Sequence, residues 1–564
     1  MTWGISLGRH GWFDRAHEEE LLAGELADFA QQLTRKDPTL WGPEAESEAA
    51  IRLGWVDLPE TSRPLLAEIE ALKAELNAEN LDHVVLCGMG GSSLAPEVIT
   101  RSAGVPLTVL DSTDPGVIRR ALGDRLDRTV VVVSSKSGTT VETDSQRRAY
   151  LSAFADAGID GPSRIVVVTD PGSPLAKLAE SEGYRKVFFA DPNVGGRYSA
   201  LSAFGLVPSG LAGADIAELL DDAFEYRSAL GRSAADSDSG VDGGVRLGAL
   251  LGTAHRVGRE KVVIADRDPR IKGFAAWAEQ LIAESTGKEG KGLLPVDVGT
   301  ATDETPGWAD AGDDAVRVVI GETDSLPDNC AATHGPLGAL FMMWEVAIVT
   351  AGRLIGINPF DQPNVEEAKA QARTLLDNPE TGDGLPLAWT EGAVEVYGKP
   401  DTLPGEQSLR SLFQSLHHLP PARGYLALQA YLDPTADAEA LELRALVAAA
   451  NRVQTTFGWG PRFLHSTGQY HKGGHPNGAF VQITGNVAED LAVPDRPYTF
   501  GQLQRAQAAG DARVLLTRGR PVVRLHLTDR RAGLAQLVAA AREAAGGSTA
   551  DTSGRSDRAE RASS

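Results

Sequence analysis

Cysteine is nearly absent from this chain of 564 residues, since only Cys87 and Cys330 occur. Two cysteines are too few for a disulfide framework or for a zinc site built from cysteines. A reducing compartment is the simplest environment for such a chain, and we predict a cytoplasmic protein. The remaining composition, with 42% hydrophobic and 23% charged residues, is that of an ordinary soluble globular protein.

Basic residues are scarce relative to acidic ones, 54 against 77, so the formal net charge is −23. A protein that binds nucleic acid normally carries a basic stripe, and this balance argues against that class. Any anionic ligand must be held locally, by a few cations and helix ends. We also expect no membrane partner, because no apolar run looks long enough to span a bilayer and the N-terminus lacks a signal-like apolar core.

Short apolar runs alternate with helical patterns along most of the chain. Strands that are apolar throughout and separated by helices indicate parallel sheets covered on both faces. The predicted class is therefore α/β, with doubly wound parallel sheets. The predicted strands are His83–Cys87, Leu107–Leu110, Val130–Val133, Ile165–Val168, Val187–Phe189, Val262–Ala265, Leu293–Val296, Val316–Ile320, Tyr425–Leu428, Phe480–Ile483, Val514–Leu516 and Val522–Leu527.

The strand pattern restarts after a joint rich in Gly, Asp and Ser, from Gly231 to Gly244, which predicts two α/β domains of similar size and a further C-terminal part. The N-terminal segment shows helical spacing, and the C-terminal tail lacks periodicity and is predicted to be disordered. The predicted boundaries are 1–80 for the helical segment, 81–230 and 245–381 for the two α/β domains, 382–545 for the C-terminal α/β part and 546–564 for the tail.

The stretch from Ser134 to Thr143, SSKSGTTVET, is the most informative motif. It follows the apolar run Val130–Val133, so a buried strand ends at a group of hydroxyls, one lysine and one glycine. A loop of this kind before a helix directs backbone N–H groups, hydroxyls and the positive helix end at one point, which is how proteins hold a phosphate. Taken alone, the same loop could be a helix start capped by Ser or Thr.

A second loop, Cys87–Ser93 (CGMGGSS), follows the predicted strand His83–Cys87. It is not the dinucleotide fingerprint GxGxxG, because Ser93 replaces the third glycine. Ser92 and Ser93 indicate hydroxyl contacts to a sugar or a phosphate, although glycines in a tight turn can serve steric needs alone. Two such loops after two strands of one sheet favour a ligand site, since α/β sheets bind ligands at the carboxyl ends of their strands.

Two further motifs carry charged groups. In Val194–Ser199 (VGGRYS), Arg197 follows two glycines and could present a fixed cation, or could be a structural arginine that pairs a carboxylate. In the helical stretch Phe274–Lys288, Gln280 and Glu284 lie one turn apart. The negative end of the helix would raise the pKa of Glu284, which suits a general base, whereas most glutamates are simply solvated.

The last two motifs lie nearer the C-terminus. In Asn358–Lys369 (NPFDQPNVEEAK), Gln362 would project from a loop and Lys369 would face the protein, although a capped helix with a solvated lysine fits as well. Phe463–His475 (FLHSTGQYHKGGH) contains three of the 11 histidines. No cysteine or paired carboxylate lies beside them, so an acid/base histidine or an exposed polar loop is favoured over a metal site.

Taken together and in order, the motifs GGSSL, SSKSGTTVET, VGGRYS, AESTGK and LGALFMMWE…INPFDQPNVEEAK resemble those of the phosphoglucose isomerase (glucose-6-phosphate isomerase) family. The resemblance extends in pieces from Leu81 to Gly485. Within the family, the chain most resembles the isomerase portion that is fused to transaldolase in some bacterial proteins. It implies two sugar-isomerase (SIS) domains, a homodimer, and interconversion of glucose 6-phosphate and fructose 6-phosphate through an enediolate in glycolysis and gluconeogenesis. It implies no cofactor and no metal.

The resemblance also implies a role for each matching residue. Glu284 matches the catalytic base, Arg197 the cation that stabilises the enediolate, and Lys369 a lysine that helps ring opening. The ring-opening histidine is His465 if the glycines of the motif are matched and His471 if the GQ dipeptide is matched; we prefer His465. The implied substrate contacts are Gly91, Ser92, Ser93, Ser135, Lys136, Ser137, Gly138, Thr139, Thr140, Gly196, Gln280 and Gln362.

The chain departs from the family pattern in two places. The family's FDQWG reads FDQPN here, with Pro363 and Asn364, and the segment that matches the histidine follows the FDQ motif instead of preceding it. Two other interpretations stay open: an isomerase that also accepts mannose 6-phosphate, and a sugar-phosphate sensor without catalysis. A sensor should lack Glu284, Arg197 and Lys369 together, and this chain has all three.

Overall fold

The computed structural model describes residues 3–231, 242–323, 325–364, 371, 374, 376 and 384–560, with side chains as far as residue 546. The strands of this part are Gly4–Leu7 (β1), His83–Cys87 (β2), Thr108–Leu110 (β3), Thr129–Ser134 (β4), Ile165–Thr169 (β5), Lys186–Phe189 (β6), Lys261–Asp266 (β7), Leu294–Asp297 (β8), Ala315–Ile320 (β9), Cys330–His334 (β10), Leu387–Glu391 (β11), Val394–Gly398 (β12), Tyr425–Tyr431 (β13), Thr455–Trp459 (β14), Gly478–Gly485 (β15) and Val522–Leu527 (β16). Its helices are Arg15–Ala23 (α1), Phe29–Thr34 (α2), Pro43–Arg52 (α3), Leu58–Thr61 (α4), Pro64–Ala78 (α5), Leu94–Ala103 (α6), Pro115–Gly123 (α7), Val141–Asp156 (α8), Pro174–Glu182 (α9), Ala203–Ala212 (α10), Ile216–Ala229 (α11), Gly243–Arg256 (α12), Phe274–Thr286 (α13), Leu337–Ile355 (α14), Leu409–Ser415 (α15), Glu442–Asn451 (α16), Gly468–Gly473 (α17), Phe500–Thr517 (α18) and Arg530–Glu560 (α19).

The first sheet consists of parallel strands in the order β3-β2-β4-β5-β6. Its central strands are buried along their whole length, β4 reading TVVVVS and β5 IVVVT, as expected for a parallel sheet covered on both faces. The chain runs from β2 outward to β3 and then returns past β2 to β4. This reversal leaves a crevice beyond the carboxyl ends of β2 and β4, which is where doubly wound sheets bind ligands.

The second sheet has the order β1-β10-β9-β7-β8, and its strands β7 to β10 run parallel. Strand β1 pairs antiparallel with β10 and so covers the edge of the sheet. The prediction of a helical segment over residues 1–80 was wrong at Gly4–Leu7. These residues form a strand because they pair with a strand far along the chain, and the local pattern does not reveal that partner.

The third sheet is mixed, in the order β11-β12-β16-β15-β13-β14. Strands β13 to β16 run parallel, and β11 and β12 extend the sheet in antiparallel fashion. The predicted strand Val514–Leu516 was wrong, because these residues form the last turns of α18. A short apolar run cannot distinguish a strand from the buried side of a helix.

Helix α14, Leu337–Ile355, lies in the core of the second α/β unit against α11, α12 and α13. It is long and apolar enough to cross a membrane, and 94% of its apolar window is buried inside the protein. Our expectation that no apolar run reaches spanning length was therefore wrong. The burial identifies this segment as a core helix, whose apolar surface is covered by neighbouring helices.

The final helix α19, Arg530–Glu560, continues into the tail that we predicted to be disordered from residue 546. Ser and Gly are frequent there, and propensity does not explain the helix; but residues 546–564 contain no proline, and extending a helix that has already formed costs much less than nucleating one. Residues 232–241 of the predicted joint lie outside the described residues. The domain boundaries themselves stay a prediction.

Candidate active site

Two loops at the carboxyl end of the first sheet contain the residues predicted to bind a phosphate. Gly90–Ser93 follows β2, and Ser135–Thr140 follows β4 and precedes α8. Thr140 occupies the N-cap position of α8, but its side chain makes no capping hydrogen bond. The alternative in which the hydroxyls serve only to cap the helix therefore does not match the geometry. The backbone N–H groups of this helix start can bind an anion instead.

The hydroxyls of the second loop bond to one another and to the loop backbone. The Ser135 and Thr140 hydroxyl oxygens are 3.1 Å apart, and the Gly138 N–H donates to Ser135 Oγ over 3.1 Å. The Ser137 and Thr139 hydroxyl oxygens are 2.9 Å apart. These contacts close the loop into a compact turn in which several hydroxyls and N–H groups are brought together, an arrangement suited to phosphate oxygens.

The Lys136 ammonium contacts two groups outside the loop. It forms an ion pair with Asp170 over 2.7 Å and donates to the carbonyl oxygen of Pro192 over 3.1 Å. Burial raises the pKa of Asp170, while Lys136 opposes that rise. Lys136 thus contributes its positive charge to the loop while being held by a carboxylate on one side.

Gly91 and Gly196 bring the first loop into backbone contact with the VGGRYS segment. A Cβ on Gly91 would lie 2.1 Å from the carbonyl oxygen of Gly196, so only glycine fits there. Ser92 and Ser93 are both buried. The Ser93 hydroxyl contacts Asp111 Oδ2 over 3.4 Å, so this hydroxyl is engaged within the protein.

Arg197 is almost completely buried and connects three parts of the site. Its Nη1 lies 3.4 Å from Glu284 Oε2 and 3.3 Å from Gln362 Oε1. Its remaining N–H groups donate to Ser285 Oγ over 2.9 Å, to the Pro359 carbonyl over 2.8 Å and to the Asp361 carbonyl over 3.0 Å. The guanidinium is thus fixed at five acceptors, in the fork geometry that lysine cannot reproduce.

Glu284 lies in the last turns of α13 and is buried. Burial raises its pKa above the ordinary value, while Arg197, Gln280 and His465 act in the opposite direction. Loss of water is therefore the main cause of the shift that we predicted from the helix end. Gln280 donates from Nε2 to Glu284 Oε1 over 3.2 Å, and its own Oε1 is buried without a hydrogen-bond partner in the described part of the chain. That oxygen can accept a hydroxyl of a bound sugar.

His465 comes from the third α/β part and reaches the same cluster. Its carbonyl oxygen accepts from Gln280 Nε2 over 2.9 Å. Gly90, at a φ of +56°, lies so close that a Cβ there would be 2.6 Å from that carbonyl. The imidazole Nε2 is 2.9 Å from Glu142 Oε1. Since a carboxylate accepts only, Nε2 carries the proton in the neutral imidazole, and Nδ1 is then the acceptor of the ring.

The structure does not bring His471 to this cluster. Its ring packs against Tyr425, Phe463 and Phe480, and Nδ1 is 2.9 Å from the Tyr425 hydroxyl oxygen. Burial lowers the pKa of His471 to about 3. This histidine is therefore a neutral member of an aromatic core.

Lys288 holds the loop that contains Gln362 through hydrogen bonds to its backbone and to Asp361. The Lys288 ammonium donates to the Asn358 carbonyl over 2.8 Å and to both the carbonyl and the carboxylate of Asp361 over 2.6 Å. Burial lowers the pKa of Lys288 to about 8, and Arg197 adds to the decrease. The loop is thus held between two buried cations, Lys288 and Arg197.

Asn364, which belongs to the FDQPN sequence that departs from the family pattern, hydrogen-bonds to the histidine-rich motif. The Asn364 N–H donates to Gln469 Oε1 over 3.0 Å, and Gln469 Nε2 donates to Asn364 Oδ1 over 2.9 Å and to the Gly287 carbonyl over 2.9 Å. The third α/β part thereby contacts the helix of Glu284 and the loop of Gln362. Lys369 lies outside the described residues.

Sequence reasoning missed three residues of this site. Glu142 and Lys288 stand inside motifs that we had singled out, SSKSGTTVET and AESTGK. A charged residue at a fixed place in such a motif was an available signal. Gln469 stands in the histidine-rich motif as well, but its contacts with Asn364 and Gly287 join distant segments, and the motif alone does not reveal them.

The chain is similar to known proteins over much of its length. The model of the family described as phosphoglucose isomerase matches residues 69–313. A probable glucose-6-phosphate isomerase of Natronomonas pharaonis is 32% identical over 382 residues, which cover 59% of this chain and 87% of the relative. The glucose-6-phosphate isomerase of Acaryochloris marina is 30% identical over 382 residues, covering 55% of this chain and 70% of the relative.

A solved glucose-6-phosphate isomerase from Chlamydia trachomatis has the same fold, with a TM-score of 0.54 at 18% identity over 67% of this chain and 89% of that one. The family model ends at residue 313, before the loop of Gln362 and before His465. Those two groups are therefore assigned to the site by geometry and by the motifs. Since most of the length of a relative at 32% identity is matched, the chain belongs to the phosphoglucose isomerase family.

Proposed function

We propose that the protein interconverts glucose 6-phosphate and fructose 6-phosphate by proton transfer through a cis-enediolate. The placement of Glu284 carries this proposal: a buried carboxylate with a raised pKa lies 3.4 Å from the fixed Arg197 guanidinium. A base with a raised pKa and a cation beside it are what proton transfer between C1 and C2 of a sugar needs. The relatives named above are glucose-6-phosphate isomerases by name, which supports the same reaction.

The phosphate would bind at the start of α8. Ser135, Ser137, Thr139 and Thr140 supply hydroxyls there, with Ser92 on the neighbouring loop. The helix N-terminus and Lys136 supply positive charge in a protein whose overall charge is strongly negative. Binding the phosphate at one end leaves the sugar carbons to reach toward Glu284 at the other.

The chemistry follows from the groups around Glu284. His465, with Nδ1 as acceptor, would open the sugar ring together with Lys369. Glu284 would then remove the proton from C2 and return it to C1, while Arg197 stabilises the negative charge that develops on the sugar oxygens. The unpaired Gln280 Oε1 would accept a sugar hydroxyl.

The test is conversion of fructose 6-phosphate, with the glucose 6-phosphate formed being oxidised by a coupled dehydrogenase. The wild-type protein should convert the substrate. Glu284→Gln should be slower by a factor of about 10²–10⁴, because the amide keeps the shape of the side chain and removes the base. Near-normal turnover by Glu284→Gln would overturn the assignment of the base. Mannose 6-phosphate in the same assay defines the range of substrates.

We also propose a cytoplasmic homodimer whose partner is the hexose 6-phosphate alone, with no role for nucleic acid or membranes. The low cysteine content and the net charge of −23 support this. Light scattering coupled to size exclusion should give twice the chain mass of 59.6 kDa, and a monomer peak would refute the dimer.

A further inference from the structure

A chain of hydrogen bonds leads from the end of the first sheet to His465. The Thr113 hydroxyl donates to Gln507 Oε1 over 2.8 Å. Gln507 Nε2 donates to Glu142 Oε1 over 2.7 Å, and the same oxygen is 2.9 Å from His465 Nε2. Thr113, Gln507 and Glu142 are all buried. Gln507 stands in none of the motifs, and it is the only member of this chain of contacts that comes from α18.

We propose that Gln507 is a positioning residue for ring opening, because it holds the Glu142 carboxylate against the imidazole of His465. This inference rests on the proposed function. Glu142 contacts Nε2 of His465, which in the neutral imidazole leaves Nδ1 as the acceptor available for ring opening. Without Gln507, the Glu142 carboxylate loses the donor that shares Oε1 with His465, and its orientation against the imidazole is less constrained.

An amide is the group that this position requires. The Thr113 hydroxyl donates, so it needs an acceptor, and the Glu142 carboxylate accepts, so it needs a donor. Gln507 offers both at once, and the two contacts fix which end of the amide points to which neighbour. A glutamate at position 507 would place a second carboxylate against Glu142, and like charges at that distance repel.

The position in the fold gives Gln507 its reach. Helix α18 connects β15 to β16 of the third sheet, and its first residue, Phe500, packs in the core of the first sheet. The third α/β part thus supplies both His465 and Gln507, which supports the carboxylate that contacts His465.

Opening the ring breaks the C1–O5 bond and moves one proton from O1 to O5, so a single well-oriented base can take and return the proton.

The test separates ring opening from proton transfer. Exchange between the α and β anomers of glucose 6-phosphate, followed by NMR, reports ring opening alone. Entry of deuterium at C1 of 5-deoxyfructose 6-phosphate, which has no hydroxyl to close a furanose ring, reports proton transfer alone. Gln507→Met should slow anomer exchange about 10- to 100-fold, the effect usual for partners that orient an active group, and should leave deuterium entry unchanged.

Gln504→Met is the matched control, because Gln504 is buried on the same helix and contacts Asp114 over 3.5 Å instead of Glu142. It should leave both rates unchanged. Thr113→Val removes the donor to Gln507 Oε1, so the Gln507 amide can turn, and anomer exchange should slow to a smaller extent. This second variant keeps the proposal testable if Gln507→Met does not fold.

Equal loss of both rates in Gln507→Met or Thr113→Val would show a merely structural role and overturn the proposal, as would no loss in either variant. If the wild type neither exchanges anomers nor admits deuterium, the proposed function fails instead. The two failures are therefore distinguishable.

Discussion

Arg197 and Glu284 form a buried ion pair, with Nη1 of the arginine 3.4 Å from Oε2 of the glutamate and both side chains largely removed from water. The distance is longer than that of a well-formed bidentate pair. The guanidinium donates its shorter hydrogen bonds to Ser285 Oγ and to the carbonyl oxygens of Pro359 and Asp361. The cation is therefore fixed by the protein, and the carboxylate keeps freedom to exchange a proton.

The first prediction concerns the acid side of the rate profile and the stability of Glu284 variants. Because burial raises the pKa of Glu284, turnover should fall on acidification at a pH above the ordinary glutamate value of 4.5. The pH dependence of the unfolding free energy that Glu284 causes is opposite to that of a typical carboxylate. The reason is that Glu284 binds its proton more tightly in the folded protein than in the unfolded chain. The contribution of Glu284 to the unfolding free energy is thus lost as the pH rises from 4.5 through the folded pKa.

At neutral pH, Glu284→Gln should therefore be at least as stable as wild type in urea denaturation, although it is inactive. Glu345→Gln is a matched control, because burial also raises the pKa of Glu345, which lies on α14, a helix that contains none of the residues assigned to catalysis. That variant should gain stability and keep turnover. A Glu284→Gln protein that is clearly less stable at pH 7 would contradict the interpretation.

The second prediction is that Arg197→Lys lowers turnover by about 10²–10³, the loss typical when one fixed donor at a developing oxyanion is removed. Lysine keeps the charge but cannot reach the five acceptors of the guanidinium. Steady-state kinetics should show the loss in kcat. Arg444→Lys, another buried arginine, whose Nη1 donates to the Pro306 carbonyl over 3.3 Å, should keep its turnover. Comparable losses in both variants would point to folding.

The third prediction separates the two candidate histidines. His465→Gln should lower turnover by about 10²–10⁴, whereas His471→Gln should act on stability. Burial lowers the pKa of His471 to about 3, against an ordinary value of 6.5. The unfolded chain then binds the proton more readily, so the unfolding free energy should fall as the pH falls from 6.5 toward 3.

That part of the pH dependence should be missing in His471→Gln when urea denaturation is repeated across this range. If His471→Gln instead loses turnover at unchanged stability while His465→Gln stays active, the two assignments must be exchanged.

The fourth prediction uses the contact between the two glycine loops. Gly91→Ala would place a Cβ 2.1 Å from the Gly196 carbonyl oxygen, so the loops must separate, at a cost of about 1–3 kcal/mol in unfolding free energy. Turnover should fall with it, because Arg197 directly follows Gly196. A Cβ on Gly196 meets nothing within 4 Å. Gly196→Ala is therefore the stability control, and equal melting temperatures for the two variants would disprove the clash.

Sequence patterns predicted the elements that are governed by local rules. Strand β2 and strand β16 have the predicted bounds, and the other predicted strands of the first two sheets differ by a residue or two at their ends. Strands β1, β10, β11, β12 and β14 were missed, because each has only four or five residues and none contains more than three consecutive apolar residues. The predicted strand at Val514–Leu516 became the end of a helix, since three apolar residues do not define a period.

The sequence by itself determined the family, the parallel α/β architecture and the residue types of the site, because glycine turns, hydroxyl loops and a glutamate near a helix end are local features. Only the tertiary structure decided between His465 and His471 as neighbours of Glu284, since both stand in one short motif. It also decided that burial, more than the helix end, raises the pKa of Glu284. The physical reason is the same in each case: desolvation and long-range hydrogen bonds depend on what the rest of the chain places around a residue.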